Sequence, residues 1–309
     1  MGKTGKAVAT EAPRRRKLTR KQNNQVAKKD TGQQSVPGSF KLLGQVFNLL
    51  RKNWKILGGI TLVYLVLNIV LASGLSSVIN NFSSVKDNLG TGYNFSSAVS
   101  GFGSLLSGSA GTGSESASIL QSILIVLQSL VVIWALRQLL ADKKLSAKDA
   151  YYKSMAPLVP FLLVISVIII QLLPVSLGAA FVSLIMSTLA PGSGLAAVIM
   201  GMIITGLVAW SIYMISASIF ALYIVTLPDM QPRQALRAAK KLVSFRQLVI
   251  IRRLLFLPIF ILLVMAAIML PLILFVHLLV IPVFYLLSVA VLLFVHSYLY
   301  ALYRGLLDG

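Results

Sequence analysis

The side chains that could do chemistry in this 309-residue chain are few and far apart. Its eight carboxylates, Glu11, Asp30, Asp87, Glu115, Asp142, Asp149, Asp229 and Asp308, are scattered through polar stretches. No two stand at the i, i+3 or i+4 spacing that would set a metal face or an acid–base pair on one helix. Cysteine is absent, which excludes disulfides, thiolate catalysis and Cys-ligated zinc or iron–sulfur centres. The expectation is therefore no catalytic constellation, no metal and no cofactor.

Two histidines remain, His277 and His296, 19 residues apart in the last apolar stretch. His277 is expected at an outer turn and His296 inside the final span, which separates them by most of a bilayer and disfavours a shared metal. An ionisable side chain within a membrane is a functional candidate by default, and His296 is the one such candidate here. A neutral imidazole bonded to a neighbouring helix is the alternative. Asn68, Gln121, Gln128 and Gln171 fall in or near apolar runs; they could line a substrate path or make interhelical hydrogen bonds. Two sequons, Asn81-Phe82-Ser83 and Asn94-Phe95-Ser96, would matter only in a eukaryote.

The elements that must carry these residues follow from composition. The chain is 57% hydrophobic and 12% charged, where soluble domains carry about a quarter charged residues. From Ser154 to Pro228 there are 75 residues without Asp, Glu, Lys or Arg, and from Leu254 to Tyr303 another 50. Crossing a hydrocarbon core takes about 20 apolar residues, so each stretch holds two spans. An all-α, polytopic membrane fold with six spans is expected, near residues 56–73, 118–140, 157–181, 195–227, 254–274 and 279–303. At 1.5 Å per residue the fourth would be about 50 Å long, so it must tilt, bend near Gly201 and Gly206, or project from the bilayer. Residues 1–38 read as a disordered basic cytoplasmic tail, followed by a signal anchor. Residues 74–117 read as an outside loop, flexible and rich in Gly and Ser.

Net charge is +20, and its placement orients the chain. Of 28 Lys and Arg, 14 lie at or before Lys55, five between Arg137 and Lys153, seven between Arg233 and Arg253, and one at Arg304. Only Lys86 falls in an expected outside loop. Both termini are therefore expected on the cytoplasmic side of a plasma membrane. The basic residues expected to touch anionic lipid head groups or a partner are Arg14, Arg15, Arg16 and Lys17 in the tail, Arg51, Lys52 and Lys55 before the first span, and Arg233, Arg237, Lys240 and Lys241 before the fifth. Nucleic acid is the weaker candidate, because lipid phosphate is nearer.

The segments before spans one, three and five share a pattern, and each reads as a short amphipathic helix lying at the membrane surface. In the first, Phe40, Leu43, Phe47 and Leu50 fall at helical spacing against Lys41, Gln45, Asn48 and Arg51. In the third, Leu236, Ala239 and Val243 oppose Arg233, Arg237 and Lys240. Ser146 with Asp149 fits a capping box, and Pro232 suits a first turn. The chain then divides into three units of surface helix plus transmembrane hairpin, although any basic link between spans would look similar.

Pro228-Asp229, Gln234-Ala235-Leu236-Arg237 and Lys240-Lys241-Leu242-Val243, between a long span and a final hairpin, resemble bacterial multi-spanning proteins related to the membrane domain of glycerophosphodiester phosphodiesterases. Phe47-Asn48-Leu49-Leu50-Arg51-Lys52-Asn53-Trp54-Lys55 is similar to the way such proteins enter their first span. The resemblance covers about residues 39–307 and implies a six-span domain of a bacterial plasma membrane. No phosphodiesterase domain accompanies it, so that activity does not transfer.

Three functions compete. A non-enzymatic scaffold, assembly or envelope-maintenance component, engaging anionic lipid, a membrane-protein partner or a second copy of itself, fits the scarcity of chemistry. A transporter or permease would use broken helices between repeats, but no Asp, Glu, Lys or Arg is expected within the membrane interior; Arg137 ends the second span at the interface. A membrane-embedded lipid enzyme ranks last.

Overall fold

The computed structural model describes residues 38–71, 95–108, 115–141, 145–189, 194–228, 230–244, 246–276 and 279–307. Among these the secondary structure is helical throughout, and six helices are long and apolar enough to cross a membrane. They are α2 (Trp54–Leu71), α4 (Glu115–Leu139), α6 (Leu158–Leu189), α7 (Gly194–Ser218) continued by the short α8 (Ala221–Ile224), α10 (Gln247–Phe275) and α11 (Val280–Leu307). Ahead of α2, α6 and α10 run three shorter helices, α1 (Ser39–Lys52), α5 (Ala147–Ser154) and α9 (Pro232–Val243). A further helix, α3 (Phe95–Gly108), lies between α2 and α4.

Each expected hairpin packs on itself: α2 on α4, α6 on α7, α10 on α11. The short helices join the hairpins in a circular order. α5 lies on α2 and α4, α9 on α6, α7 and α8, and α1 on α11. Each therefore docks mainly on the hairpin that precedes it in the cycle. α11 also touches α2 and α4, and α10 touches α7, which closes the bundle.

Four sequence expectations change. The Gly- and Ser-rich stretch 74–117 contains α3, because Ala98, Phe102 and Leu105 recur at helical spacing and are buried against Met265, Met269, Ile273, Val280 and Phe284 of α10 and α11. The fourth span breaks at Ile219–Phe220, not at Gly201 or Gly206. There Ser216 and Ser218 donate to the carbonyls of Tyr213 and Met214, and bonds such as Tyr223 N–H to the Phe220 carbonyl (3.1 Å) tighten the chain to i→i+3 geometry. That break turns Phe220, Ala221, Tyr223 and Val225 into the core.

On α1 the expected apolar face is half realised: Leu43 is buried with Leu42 and Val46, and Leu50 packs on the core, while Phe40 and Phe47 are exposed with their rings against Phe256 and Phe294. The capping box at Ser146 is not made: the residue caps α5 through its backbone, with no side-chain bond. The rest of the boundary shifts are extensions. α6 continues through Pro174 to Leu189, and α10 begins at Gln247, so Arg252 and Arg253 are part of the helix and not of a link. Pro232 stands at the first turn of α9, as its fixed φ favours.

Candidate functional site

Two groups of polar side chains are built by these helices, one inside the bundle and one at its basic end. Inside, His296 of α11 is buried between α4 and α8. Its Nε2 lies 2.9 Å from Ser129 Oγ, and its Nδ1 lies 3.4 Å from the Tyr223 hydroxyl. Ser129 donates its only proton to the Ile125 carbonyl at 2.7 Å. Nε2–H must therefore donate to Ser129 Oγ, and Nδ1 accepts from Tyr223; the tautomer is assigned by this network.

A hydroxyl beside an imidazole has the spacing of a nucleophile and its base. Here the hydroxyl proton is committed to a backbone carbonyl, and the third member is a phenol instead of a carboxylate. The arrangement holds a neutral imidazole and ties the second, fourth and sixth spans together. From Tyr223 the chain of contacts runs outward: the Thr226 hydroxyl donates to the Tyr223 carbonyl (2.8 Å), and Arg137 donates to the Thr226 carbonyl (2.9 Å). Tyr223 also stacks on Tyr303.

A second internal cluster lies along α2. The Tyr285 hydroxyl donates to Asn68 Oδ1 at 2.7 Å, and Asn68 Nδ2 donates to the Tyr64 hydroxyl at 3.3 Å. Tyr151 of α5 places its one hydroxyl proton between the Ile60 carbonyl (3.0 Å) and Gln128 Oε1 (3.1 Å), which pins the surface helix to the first hairpin. Burial, with a smaller contribution from the nearby Tyr64 phenol, pushes the Tyr151 hydroxyl up to about 12. Of the polar residues singled out in the sequence, Asn68, Gln128 and His296 thus meet partners on other helices. Gln171 receives Ser211 on its backbone carbonyl, while its Oε1 is buried with no hydrogen-bond partner among the described residues.

At the basic end, Arg51, Lys52, Lys55, Arg233, Arg237, Lys240 and Lys241 are all exposed. The faces opposite them are not. Ala235, Ala239 and Val243 of α9 and Leu42, Leu43 and Val46 of α1 belong to one core cluster with Phe220, Tyr298 and Leu302. The charges are therefore carried by helices fixed in the fold. Arg14, Arg15, Arg16, Lys17 and His277 lie outside the described residues.

Two hollows that the sequence did not reveal matter here. One, of about 630 Å³, is lined by Trp134, Arg137 and Gln138 of α4, Lys153 of α5, and Thr226 and Gln231 from the link before α9. The other, of about 450 Å³, is an apolar cleft between α2 and α10 floored by α11, with Trp54, Gly58, Phe260 and Phe294 among its walls. Arg137 read in the sequence as an interfacial cation ending a span. Its hydrogen-bond partner, the Thr226 carbonyl 89 residues away, had no local signal.

No family model, curated protein or solved structure matches the chain. What fold and composition define is a class: a multi-pass helical membrane protein.

Proposed function

We propose that the chain is a non-enzymatic component of a bacterial plasma membrane, with both termini in the cytoplasm, acting as a scaffold, assembly or envelope-maintenance factor. It engages anionic lipid, or an acidic partner, through its basic face. The observation that carries this reading is the rigid display of charge. Seven cationic side chains stand exposed on α1, α2 and α9, whose apolar sides are locked in the core. Lysine and arginine fixed at that level attract anionic head groups by about 1 kcal/mol each. The charge count across the expected loops supports the cytoplasmic orientation, and the resemblance of the Pro228–Val243 and Phe47–Lys55 segments supports a bacterial membrane setting.

The interior favours a scaffold over a transporter, because His296 is bonded to α4, Asn68 to α11 and Gln128 to α5. The test uses the full chain in nanodiscs of phosphatidylcholine and phosphatidylglycerol, with co-purifying lipid counted by native mass spectrometry. Enrichment of phosphatidylglycerol is expected, falling severalfold when the seven cations are changed to Gln and further when residues 1–38 are removed. Equal enrichment in the wild-type and neutralised proteins at low salt would sink the reading.

A further inference from the structure

We propose that the hollow between α4, α5 and the link before α9 is a binding site for a phosphate group, carried by an anionic lipid head group or by a small soluble phosphate. The proposal rests on the reading of the basic end as an anion-engaging face, and it narrows that reading to one built pocket.

Arg137 and Lys153 come from different helices, 16 residues apart, and line the same cavity. A guanidinium and an ammonium on its walls give the hollow two cationic donors from two different helices. Arg137 is half-buried, which lowers the local dielectric and strengthens its field. Its Nη1 is oriented by the Thr226 carbonyl at 2.9 Å. A carbonyl is neutral, so this contact aims the guanidinium without cancelling its charge. A guanidinium has five N–H donors in a planar fork that matches phosphate oxygens in pairs. Gln138 and Gln231 add amide donors to the same walls.

The walls are stiff. Pro157 and Pro160 at the start of α6 and Pro228 and Pro232 flanking the link to α9 all line the cavity. Each proline fixes its own φ, which lowers the ordering cost of binding. At about 630 Å³ the hollow lies within the range of about 300–1,000 Å³ usual for small-molecule sites. The aromatic ring of Trp134 lies in the same lining and provides a built-in reporter.

The test uses the full chain with Trp54→Phe and Trp210→Phe, two exposed positions, so that Trp134 is the only tryptophan. The protein is reconstituted in phosphatidylcholine vesicles and titrated with inorganic phosphate and with glycerol phosphate, and in a parallel arm with phosphatidylglycerol added to the vesicles. A saturable change in Trp134 emission is expected. A response to the soluble probes assigns a soluble phosphate; a response to phosphatidylglycerol alone assigns a lipid head group. Arg137→Gln should weaken the response roughly tenfold or more, as loss of a charged hydrogen bond implies. Arg137→Lys should fall between, since it keeps the charge and loses the fork.

Lys153→Glu, on an exposed side chain, should abolish the response, and it carries the test if Arg137→Gln fails to insert. No response to either probe overturns the proposal, as does a response unchanged in both Arg137→Gln and Lys153→Glu. Neutralising Arg51, Lys52 and Lys55, on α1 and α2, which do not line the hollow, should leave the Trp134 response within about twofold. If those variants keep their lipid enrichment while the Trp134 response holds, the wider face reading fails and the pocket stands. If they lose it while Arg137→Gln changes nothing, the pocket fails alone.

Discussion

The second span and the hairpin of the third and fourth are comparably apolar, yet the protein uses them in opposite ways. Half of the membrane-length stretch of α4 is buried inside the protein, against 11% of the third span and 6% of the fourth. α4 touches α2, α5, α6 and α11, whereas α6 and α7 pack chiefly on each other and leave Phe181, Leu184 and Trp210 on the outer surface. In water such exposure would be costly. In lipid it is not, because tails are as apolar as leucine, and helix association depends on close packing and interhelical hydrogen bonds. The polar groups make the difference: Gln128 and Ser129 of α4 meet Tyr151 and His296, while Gln171 of α6 offers its hairpin only a backbone carbonyl to Ser211.

The comparison breaks most directly in the packing. Leu130→Ala, at a fully buried position of α4, should cost about 2–5 kcal/mol. Leu163→Ala on the exposed side of α6 should stay within about 0.5 kcal/mol. Unfolding in mixed micelles measures both, and equal losses would erase the distinction between core and lipid-facing spans.

Next comes the imidazole link. His296→Phe should cost about 1–3 kcal/mol by stranding Ser129 and Tyr223 without their shared partner. A double-mutant cycle with Ser129→Ala should show coupling of about 0.5–2 kcal/mol. Additive losses would mean that the 2.9 Å contact holds nothing together.

A smaller effect is expected from pH. Tyr151 keeps its proton to about 12 in the folded protein, above the ordinary value of 10.0. Between those values the unfolded chain holds fewer protons than the folded one, so stability falls as pH rises through that window and is fully present below it. Tyr151→Phe should flatten this decline, measured as helicity and melting temperature across the window; an unchanged slope would remove α5 from the polar network.

The smallest change belongs to the outer hairpin. A side chain at Gly178 would place its Cβ 2.6 Å from Leu207 Cδ1, the mobile tip of its neighbour. Gly178→Ala should therefore cost less than about 1 kcal/mol, and Leu207→Ala in the same chain should relieve it. A loss as large as that of Leu130→Ala would show that α6 and α7 are packed as tightly as the core.

Much of this architecture was legible in the sequence because membrane physics acts on length and charge. Apolar runs such as Leu254–Tyr303 are long enough to cross a bilayer twice, and most of their ends were found within about a turn, with the end of α6 and the start of α10 missed by about two. The helix α3 was hidden in Gly and Ser, since its three anchoring residues, Ala98, Phe102 and Leu105, gain meaning only when α10 and α11 are in place. The apolar face of α1 was half found for a related reason: Leu43 and Leu50 pack on the core, but Phe40 and Phe47 can face lipid at no cost, so apolar spacing alone does not identify the protein side.

The sequence by itself determined that the chain is helical, that it has six membrane-length spans, that its charge gathers before the first, third and fifth of them, and that chemistry is scarce. Those properties are set by local composition, which a single segment carries alone. Tertiary structure decided which spans form the core, that each surface helix docks on the preceding hairpin, and that Arg137 and Lys153 share one hollow. His296, singled out from its position alone, acquired its partners Ser129 and Tyr223 only through packing. The physical reason is that lipid and protein interior are equally apolar, so hydropathy cannot rank the faces of a span; contacts between residues distant along the chain do.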